Sequence, residues 1–316
     1  MDDKVQEFWT WWNGSGAEQL AKMFREEIPQ DEAVFAELTD RVQAIAPGLT
    51  FEFSSGESSE FVLTVTSEGV AEFRGPARRW LDAAPAPDAT WAYSDLRLPK
   101  DDFGILMGDL DVKSSDLRFT IEPGQSVLNI GMYHPAFEQL SEDTQPSLAQ
   151  LGFVLLDSVL GERNVELWVG QIDWLQHPGP ELLVSDAKAV VAQLEARFPV
   201  EGEGNWVVFE SHQGEEHYVA RVRPPLKPLA DPLKDIHVRI EVPCVENELD
   251  DLFELEDRLM EVQGARLVAV ETLAGVRTFH LYTSGEHIES LHGLTQEHSG
   301  EAVVDPGWVR VSHLHF

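Results

Sequence analysis

The chain has 316 residues, of which 43% are hydrophobic and 9% aromatic, enough for two globular domains with apolar cores. Its 56 Asp and Glu residues outnumber its 23 Lys and Arg residues, and the formal net charge is −33. A field of that sign repels phosphate backbones and anionic membranes, so we expect no direct binding to nucleic acid or to a membrane. Acidity extends through both halves, which indicates either a highly soluble protein or one that attracts a basic protein.

The cysteine count and the opening residues indicate in which cellular compartment the protein is expected. Cys244 is the only cysteine, so an internal disulfide is excluded and a reducing compartment is favoured. The opening residues MDDKVQEFW lack the basic and apolar segments of a signal peptide, and no apolar run reaches the length of a membrane span. These features predict a cytoplasmic protein.

The first half of the chain alternates between helical and strand patterns. An aromatic helix is predicted over 5–12, and Asn13-Gly14-Ser15-Gly16 is expected to end it. Further helices are predicted over 17–27, 31–46, 70–83 and 145–160, and strands over 49–53, 61–66, 91–98, 117–121, 127–133 and 165–174.

His177-Pro178-Gly179-Pro180 is the best candidate for a linker, because consecutive prolines and glycine interrupt regular structure. It divides the chain into predicted domains over 1–178 and 179–316. The second begins with a helix over 185–197 and a hairpin over 206–222.

The stretch 235–315 has the predicted order strand, helix, strand, strand, helix, strand, with Trp308 and Arg310 on the last strand. This order is typical of a ferredoxin-like domain, here preceded by an extra hairpin. The predicted fold class is therefore α+β, in two domains with mostly antiparallel sheets.

Polar side chains alternate along the predicted strands 235–242 and 276–283 and share one sheet face. Imidazole, phenol, guanidinium and carboxylate groups together can bind an anion or perform acid–base chemistry. A solvated or covered polar face has the same pattern, so no catalytic residue is assigned. The five candidate ligand-binding residues are His237, Arg239, Glu241, His280 and Tyr282.

The helix predicted over 246–262 places one carboxylate, Glu256, inside its apolar arc. An unpaired buried charge is costly, so Glu256 needs a partner, and Arg277 on the helix-facing side of its strand is the expected one. A buried ion pair that holds helix against sheet is the structural interpretation. A carboxylate that grips a ligand or takes part in catalysis is the alternative.

The outer side of the same helix carries a stripe of carboxylates at spacings of four, four, three and four residues. Such a stripe is typical of a solvated face, and it is also where a basic partner would dock. Its residues are Glu246, Asp250, Glu254, Asp257 and Glu261.

Histidine is concentrated after residue 200, and His313-x-His315 on a strand would give half of a zinc or nickel site. No third ligand follows at a recognised spacing, and the P-loop, dinucleotide-binding, nucleophile-elbow and HExxH motifs are missing from the sequence. We therefore predict no metal and no cofactor.

Four short motifs connect the stretch from residue 205 onward to a known family. They are Trp206-Val207-Val208-Phe209, Glu256-Asp257, Gly275-x-Arg277-x-Phe279 with Tyr282, and Asp305-Pro306-Gly307-Trp308. On these motifs the stretch resembles the bacterial "domain of unknown function 695" family. In outline, that family is also similar to an acidic ferredoxin-like regulator that inhibits a bacterial ribonuclease, which implies protein binding.

The first half is similar to a second uncharacterised bacterial module. The motifs are Phe8-Trp9-x-Trp11, Leu49-Thr50-Phe51-Glu52-Phe53, Ala83-Ala84-Pro85 before Trp91, and Leu155-Leu156-Asp157-x-x-Leu160-Gly161-Glu162. No activity follows from this resemblance.

Two hypotheses of function remain. The first is a non-enzymatic binding or regulatory protein, monomeric or homodimeric, for a basic partner such as a nuclease or a toxin. The second is a small-molecule or anion sensor, or an enzyme, that uses the polar sheet face.

Overall fold

The computed structural model describes residues 2–107, 110–144, 146–177, 179, 182–202, 204–213, 216–244 and 249–314. Its contacts group the chain into two compact units, Met1–Leu98 and Pro99–Phe316. Helices and strands are mixed, and most strand pairs are antiparallel, so the predicted α+β class is confirmed.

The predicted domain boundary at 178 lies inside the second unit. Leu182 returns to the strand that contains Phe119, and the two residues exchange backbone hydrogen bonds of 2.8 and 2.9 Å. These bonds tie the chain after the predicted linker to elements before it. Pro178 and Pro180 lie outside the described residues, and the two-domain division at 178 stays a prediction.

The first unit is helical at its beginning and ends in a small mixed sheet. Its helices are α1 (Asp2–Trp11), α2 (Ala17–Phe24), α3 (Glu32–Ile45) and α4 (Arg74–Asp82). Its strands are β1 (Thr50–Ser55), β2 (Phe61–Thr66) and β3 (Trp91–Ser94). Strand β2 lies in the middle, antiparallel to β1 and parallel to β3.

The glycines between α1 and α2 do not end the helix, contrary to the prediction. Trp12–Gly16 forms a π-helical turn that leads directly into α2, and Gly16 has right-handed helical angles of φ −60° and ψ −49°. The ring of Trp11 crosses Gly16 so closely that a Cβ there would lie 2.8 Å from it. Glycine is therefore needed here for close packing, and the helix continues past it.

The core of the first unit is built from tryptophan. Trp9 stacks on Trp80 with ring centroids 4.9 Å apart and donates its indole N–H to the backbone oxygen of Trp80. Trp12 is fully buried and donates to the hydroxyl of Tyr93. These bonds satisfy indole donors inside an apolar cluster, so the aromatic face of α1 packs onto its own unit.

The second unit contains the remaining elements. Its helices are α5 (Leu148–Leu160), α6 (Glu162–Trp168), α7 (Val184–Arg197), α8 (Leu249–Met260) and α9 (Glu289–Glu297). Its strands are β4 (Gly104–Met107), β5 (Leu110–Lys113), β6 (Arg118–Pro123), β7 (Leu128–Tyr133), β8 (Val169–Leu175), β9 (Val207–Gln213), β10 (Glu216–Val222), β11 (Ile236–Pro243), β12 (Ala265–Leu273), β13 (Val276–Thr283) and β14 (Ser299–Val304).

The strands form a β4–β5 hairpin, a three-stranded sheet in the order β6-β7-β8, and a six-stranded sheet in the order β14-β11-β13-β12-β10-β9. All neighbours in the six-stranded sheet are antiparallel. From β11 to β14 the elements follow the predicted order, with α8 between β11 and β12 and α9 between β13 and β14. The extra hairpin, β9 and β10, extends this sheet beyond β12.

Apolar side chains define one face of the six-stranded sheet as a core face. Val238 and Ile240 of β11 and Phe279 and Leu281 of β13 are fully buried there together with Leu259 of α8. The alternation of side chains along a strand then sends the polar residues of β11 and β13 to the opposite face.

The last strand is not where the sequence analysis predicted it. Strand β14 ends at Val304, and Trp308 and Arg310 follow it, the second of them inside a 3-10 helix, Val309–Leu314. Asp305 starts the turn that follows β14, because its carboxylate accepts hydrogen bonds from the backbone N–H groups of Val309 and Arg310, at 3.0 and 2.9 Å. We call residues 305–314 the C-terminal cover, because they lie over the polar face of the sheet.

Candidate functional site

The register of β11 with β13 brings the five predicted ligand-binding residues together. His237 is opposite Tyr282, and Arg239 is opposite His280. Glu241 follows two residues after Arg239 and therefore shares its side of the strand. All five residues lie on the sheet face away from α8 and α9, but their environments differ.

Aromatic stacking holds the C-terminal cover against this face. The ring of Trp308 stacks on Tyr282 with centroids 4.1 Å apart and planes 13° apart, and both side chains are at most 1% exposed. The Trp308 indole N–H donates to the backbone oxygen of Lys234 at 3.0 Å. Tyr282 donates its hydroxyl to Oδ2 of Asp305 at 2.6 Å. Burial and this carboxylate raise the pKa of Tyr282, so the phenol stays protonated.

Replacing Tyr282 with phenylalanine tests the link between the sheet and the cover. The stack on Trp308 is kept, but the hydroxyl that Asp305 accepts from is lost. We expect the free energy of unfolding to fall by about 1.5 to 3 kcal/mol, the usual contribution of a hydrogen bond to a charged group. Urea unfolding followed by circular dichroism measures it, and a change within error would contradict the role of this bond.

Two buried histidines lie beside Tyr282 and share one hydrogen bond. His237 Nε2 is 3.0 Å from His280 Nδ1, and the two residues are 4% and 5% exposed. One ring nitrogen must donate and the other accept. Burial and the neighbouring His280 lower the pKa of His237 from 6.5 to about 4, so His237 is neutral at pH 7.

Glu271 of β12 completes this chain of polar groups, and the sequence analysis missed it. Its Oε1 lies 3.3 Å from His280 Nε2 and 2.7 Å from His313 Nε2. Burial by itself raises the pKa of Glu271, but the hydrogen bonds and charges of the two histidines outweigh burial and lower it. Tyr218 of β10 is a further neighbour of this carboxylate, and burial together with Glu271 raises the pKa of Tyr218 to about 12.

A β-bulge explains why the sequence pattern did not reveal Glu271. Simple alternation from Leu267, which faces the core, would also turn Glu271 to the core face. The register shifts between Leu267 and Ala269, and Val270 therefore faces the core opposite Phe279 while Glu271 joins the polar face. The unbroken apolar run from Leu267 to Val270 was the signal that could have revealed the shift.

Arg239 and Glu241 differ from the buried residues on this face, since their side chains are 44% and 35% exposed. Arg239 lies 3.5 Å from Glu241 and 3.4 Å from Glu301 of β14. The cluster therefore consists of an exposed ion-pair group at the sheet edge and a covered group around His237 and His280. Within the covered group, His237 Nε2, His280 Nδ1 and the hydroxyl of Tyr282 each have a hydrogen-bond partner in the chain.

Glu256 is buried as predicted, but Arg277 is not its partner. Both carboxylate oxygens of Glu256 lie 2.5 Å from Nη2 of Arg221, and Glu256 is 6% exposed. Arg221 belongs to β10, and its pairing with Val270 turns it toward α8. Arg277 instead lies over the ring of Phe253, 5.8 Å from its centroid. The prediction was wrong because the sequence does not show that the hairpin joins the sheet beneath the middle of α8.

The acidic stripe of α8 faces solvent. Its described members Asp250, Glu254, Asp257 and Glu261 are all exposed, and Glu246 lies outside the described residues. Within the described chain no basic side chain forms an ion pair with these four. Two large apolar side chains of the same helix are also exposed, Phe253 at 51% and Met260 at 49%.

The predicted half-site for a metal does not form on a strand. His313 lies in the 3-10 helix and contacts Glu271, and His315 lies outside the described residues. Across the part of the chain that the structure describes, no group of three or more His, Cys, Asp or Glu side chains is arranged to hold a metal ion.

No described helix is both long and apolar enough to cross a membrane.

Comparisons with known proteins do not assign this chain to a family. Family models, curated proteins and solved structures were compared with this chain, and none of them matches it. The resemblance to the "domain of unknown function 695" family therefore stays a prediction.

Proposed function

We propose that the protein is a non-enzymatic binding module for a basic protein, and that the outer face of α8 is its docking surface. The observation that carries this proposal is the combination of exposed carboxylates with exposed Phe253 and Met260 on one helix. Interfaces commonly pair a few large apolar anchors with a polar rim, and Phe and Met are frequent anchors.

The geometry of α8 supports one continuous surface. Phe253 and Met260 are seven residues apart, which is two helical turns, so they lie on the same side of the helix. The carboxylates occupy the adjoining 60° of the circumference, as 100° per residue dictates. A partner element that lies along α8 can therefore contact both apolar side chains and the acidic stripe at once.

The charges of the stripe favour a cationic partner. Asp250, Glu254 and Asp257 of α8, with Glu261 directly after its last residue, are three or four residues apart, and like charges at these spacings destabilise a helix by about 0.2 to 0.5 kcal/mol per pair. A basic partner would relieve this repulsion on binding. The net charge of −33 would also speed its approach.

The resemblance of the C-terminal part agrees with this proposal, since an outline similarity to an acidic, ferredoxin-like ribonuclease inhibitor implies a basic protein target. We infer that the region from β11 to β14 is such a ferredoxin-like domain, on the basis of its element order. A nuclease-like or toxin-like protein is the corresponding class of partner.

A ligand site on the polar sheet face is the alternative, and it stays a prediction. The buried groups there, His237, His280 and Tyr282, already contact other groups of the chain. The binding module is therefore better supported by the geometry.

Neutralising the docking surface tests the proposal. The fourfold variant D250N/E254Q/D257N/E261Q keeps side-chain shape and removes four charges. We expect it to bind basic proteins on the order of 10-fold more weakly at low salt than the wild type does, because each charge lost weakens steering and attraction. Affinity capture from a bacterial lysate, performed at two salt concentrations and followed by quantitative mass spectrometry, measures how much of each basic protein every variant recovers.

A matched control removes four exposed carboxylates from the first unit, in E32Q/D40N/E57Q/E72Q. It has the same net charge as the α8 variant and should retain basic proteins as the wild type does. Equal losses in both variants would show a nonspecific charge effect and contradict the assignment to α8. Captured proteins no more basic than the proteome would contradict the proposed class of partner.

A further inference from the structure

The C-terminal cover lies over groups whose protonation opposes its closure. His237 and His280 are its buried neighbours on the sheet, and His313 within the cover contacts Glu271 from the other side. The hydrogen bond between His237 and His280 needs one nitrogen without a proton, since two N–H groups cannot face each other. The closed pair therefore accepts at most one additional proton.

The carboxylate of Glu271 lies against His280, with its Oε1 3.3 Å from His280 Nε2. A proton added to His237 would place a positive charge under the cover, where the ring nitrogen of His237 lies 3.0 Å from that of His280. When the cover is lifted, the ring of His237 reaches water and can be protonated without that cost.

We infer that the C-terminal cover is an acid-released element: lowering the pH below about 6.5 shifts it from the sheet toward an open state, because the open state binds one more proton at His237. The inference is independent of the proposed docking surface on α8, which is on the opposite face of the sheet.

The charged groups around His237 agree in sign with this inference. Burial, His280, Arg310 and Arg239 all oppose its protonation, whereas Asp305 favours it. Because the pKa of His237 is depressed to about 4 in the closed state, the contribution of His237 to the stability of that state is fully present above pH 6.5. It is lost as the pH falls toward 4. The titratable and charged groups that face the cluster are His280 and Tyr282 of β13, Glu271 of β12, Tyr218 of β10, Arg239 of β11, and Asp305, Arg310 and His313 of the cover.

Hydrogen exchange of the cover measures its opening directly. The backbone N–H of Asp305 and the indole N–H of Trp308 donate to the backbone oxygens of Asp235 and Lys234, which lie outside the cover, so their protection reports closure. Between pH 7 and pH 5, corrected for intrinsic exchange, we expect their protection to fall on the order of 20-fold, the factor that one histidine of pKa 6.5 supplies. Amides of α3 in the first unit serve as the internal reference.

The variant His237→Gln can still donate to His280 but cannot titrate, and it should remove most of this pH dependence. His292→Gln changes an exposed histidine of α9 and should leave the dependence as in the wild type. Protection that changes less than threefold in the wild type, or that falls equally in His237→Gln, overturns the inference.

A second measurement applies if His237→Gln does not fold. The ring signals of His237, followed by NMR in the wild-type protein, should titrate below pH 5.5 while the cover is closed. Titration near pH 6.5 with the cover still protected would overturn the inference.

Discussion

Replacing Trp308 with alanine is expected to lower the free energy of unfolding by about 3 to 5 kcal/mol, the range for a buried Trp replaced by Ala. Trp308 is 1% exposed, and its loss removes both the stack on Tyr282 and the hydrogen bond to Lys234. Urea unfolding monitored by circular dichroism gives the change. A loss below 1 kcal/mol would show that the cover contributes little to stability.

The backbone of Trp308 allows a sharper version of this experiment. Its φ is +51°, a left-handed conformation in which glycine is more stable than alanine. Trp308→Gly should therefore be no less stable than Trp308→Ala, although glycine usually costs about 0.5 to 1 kcal/mol relative to alanine. The usual order, with glycine less stable, would contradict the left-handed geometry of the turn.

Glu256→Gln is expected to lower the free energy of unfolding by about 2 to 3 kcal/mol, with little effect on the binding of any partner. The change leaves Arg221 without the carboxylate whose two oxygens lie 2.5 Å from its Nη2. Breaking a buried ion pair typically costs 3 to 5 kcal/mol, and the side chain of Arg221 is 32% exposed, so water recovers part of that cost. The same urea experiment measures it.

The arginine that pairs with Glu256 can be distinguished by a double-mutant cycle. Arg221→Gln should couple to Glu256→Gln, so that the double variant loses much less stability than the sum of the two single changes. Arg277→Gln serves as the matched control, and its effect should add to that of Glu256→Gln because Arg277 packs on Phe253. Coupling to Arg277 rather than to Arg221 would contradict the observed pair.

Much of the candidate site was predictable from alternation along two strands. His237, Arg239 and Glu241 share a face because side chains on a strand alternate, and the apolar residues between them identify the core side. The same reasoning placed Glu256 in the apolar arc of α8, since 100° per residue determines the angle of each side chain. Asp305 escaped prediction because its role depends on the turn that follows β14.

The sequence by itself determined the class of the fold, the order of elements from β11 to β14, the acidic outer side of α8 and the burial of Glu256. These features follow from periodicity and charge, which are local properties of the chain. Only the tertiary structure decided that Arg221 pairs with Glu256, that a bulge turns Glu271 to the polar face, and that the cover packs on Tyr282 and Glu271 beside the buried His237 and His280. Each of these depends on which distant segments become neighbours in the sheet, and strand register and order are set by contacts that no local pattern contains.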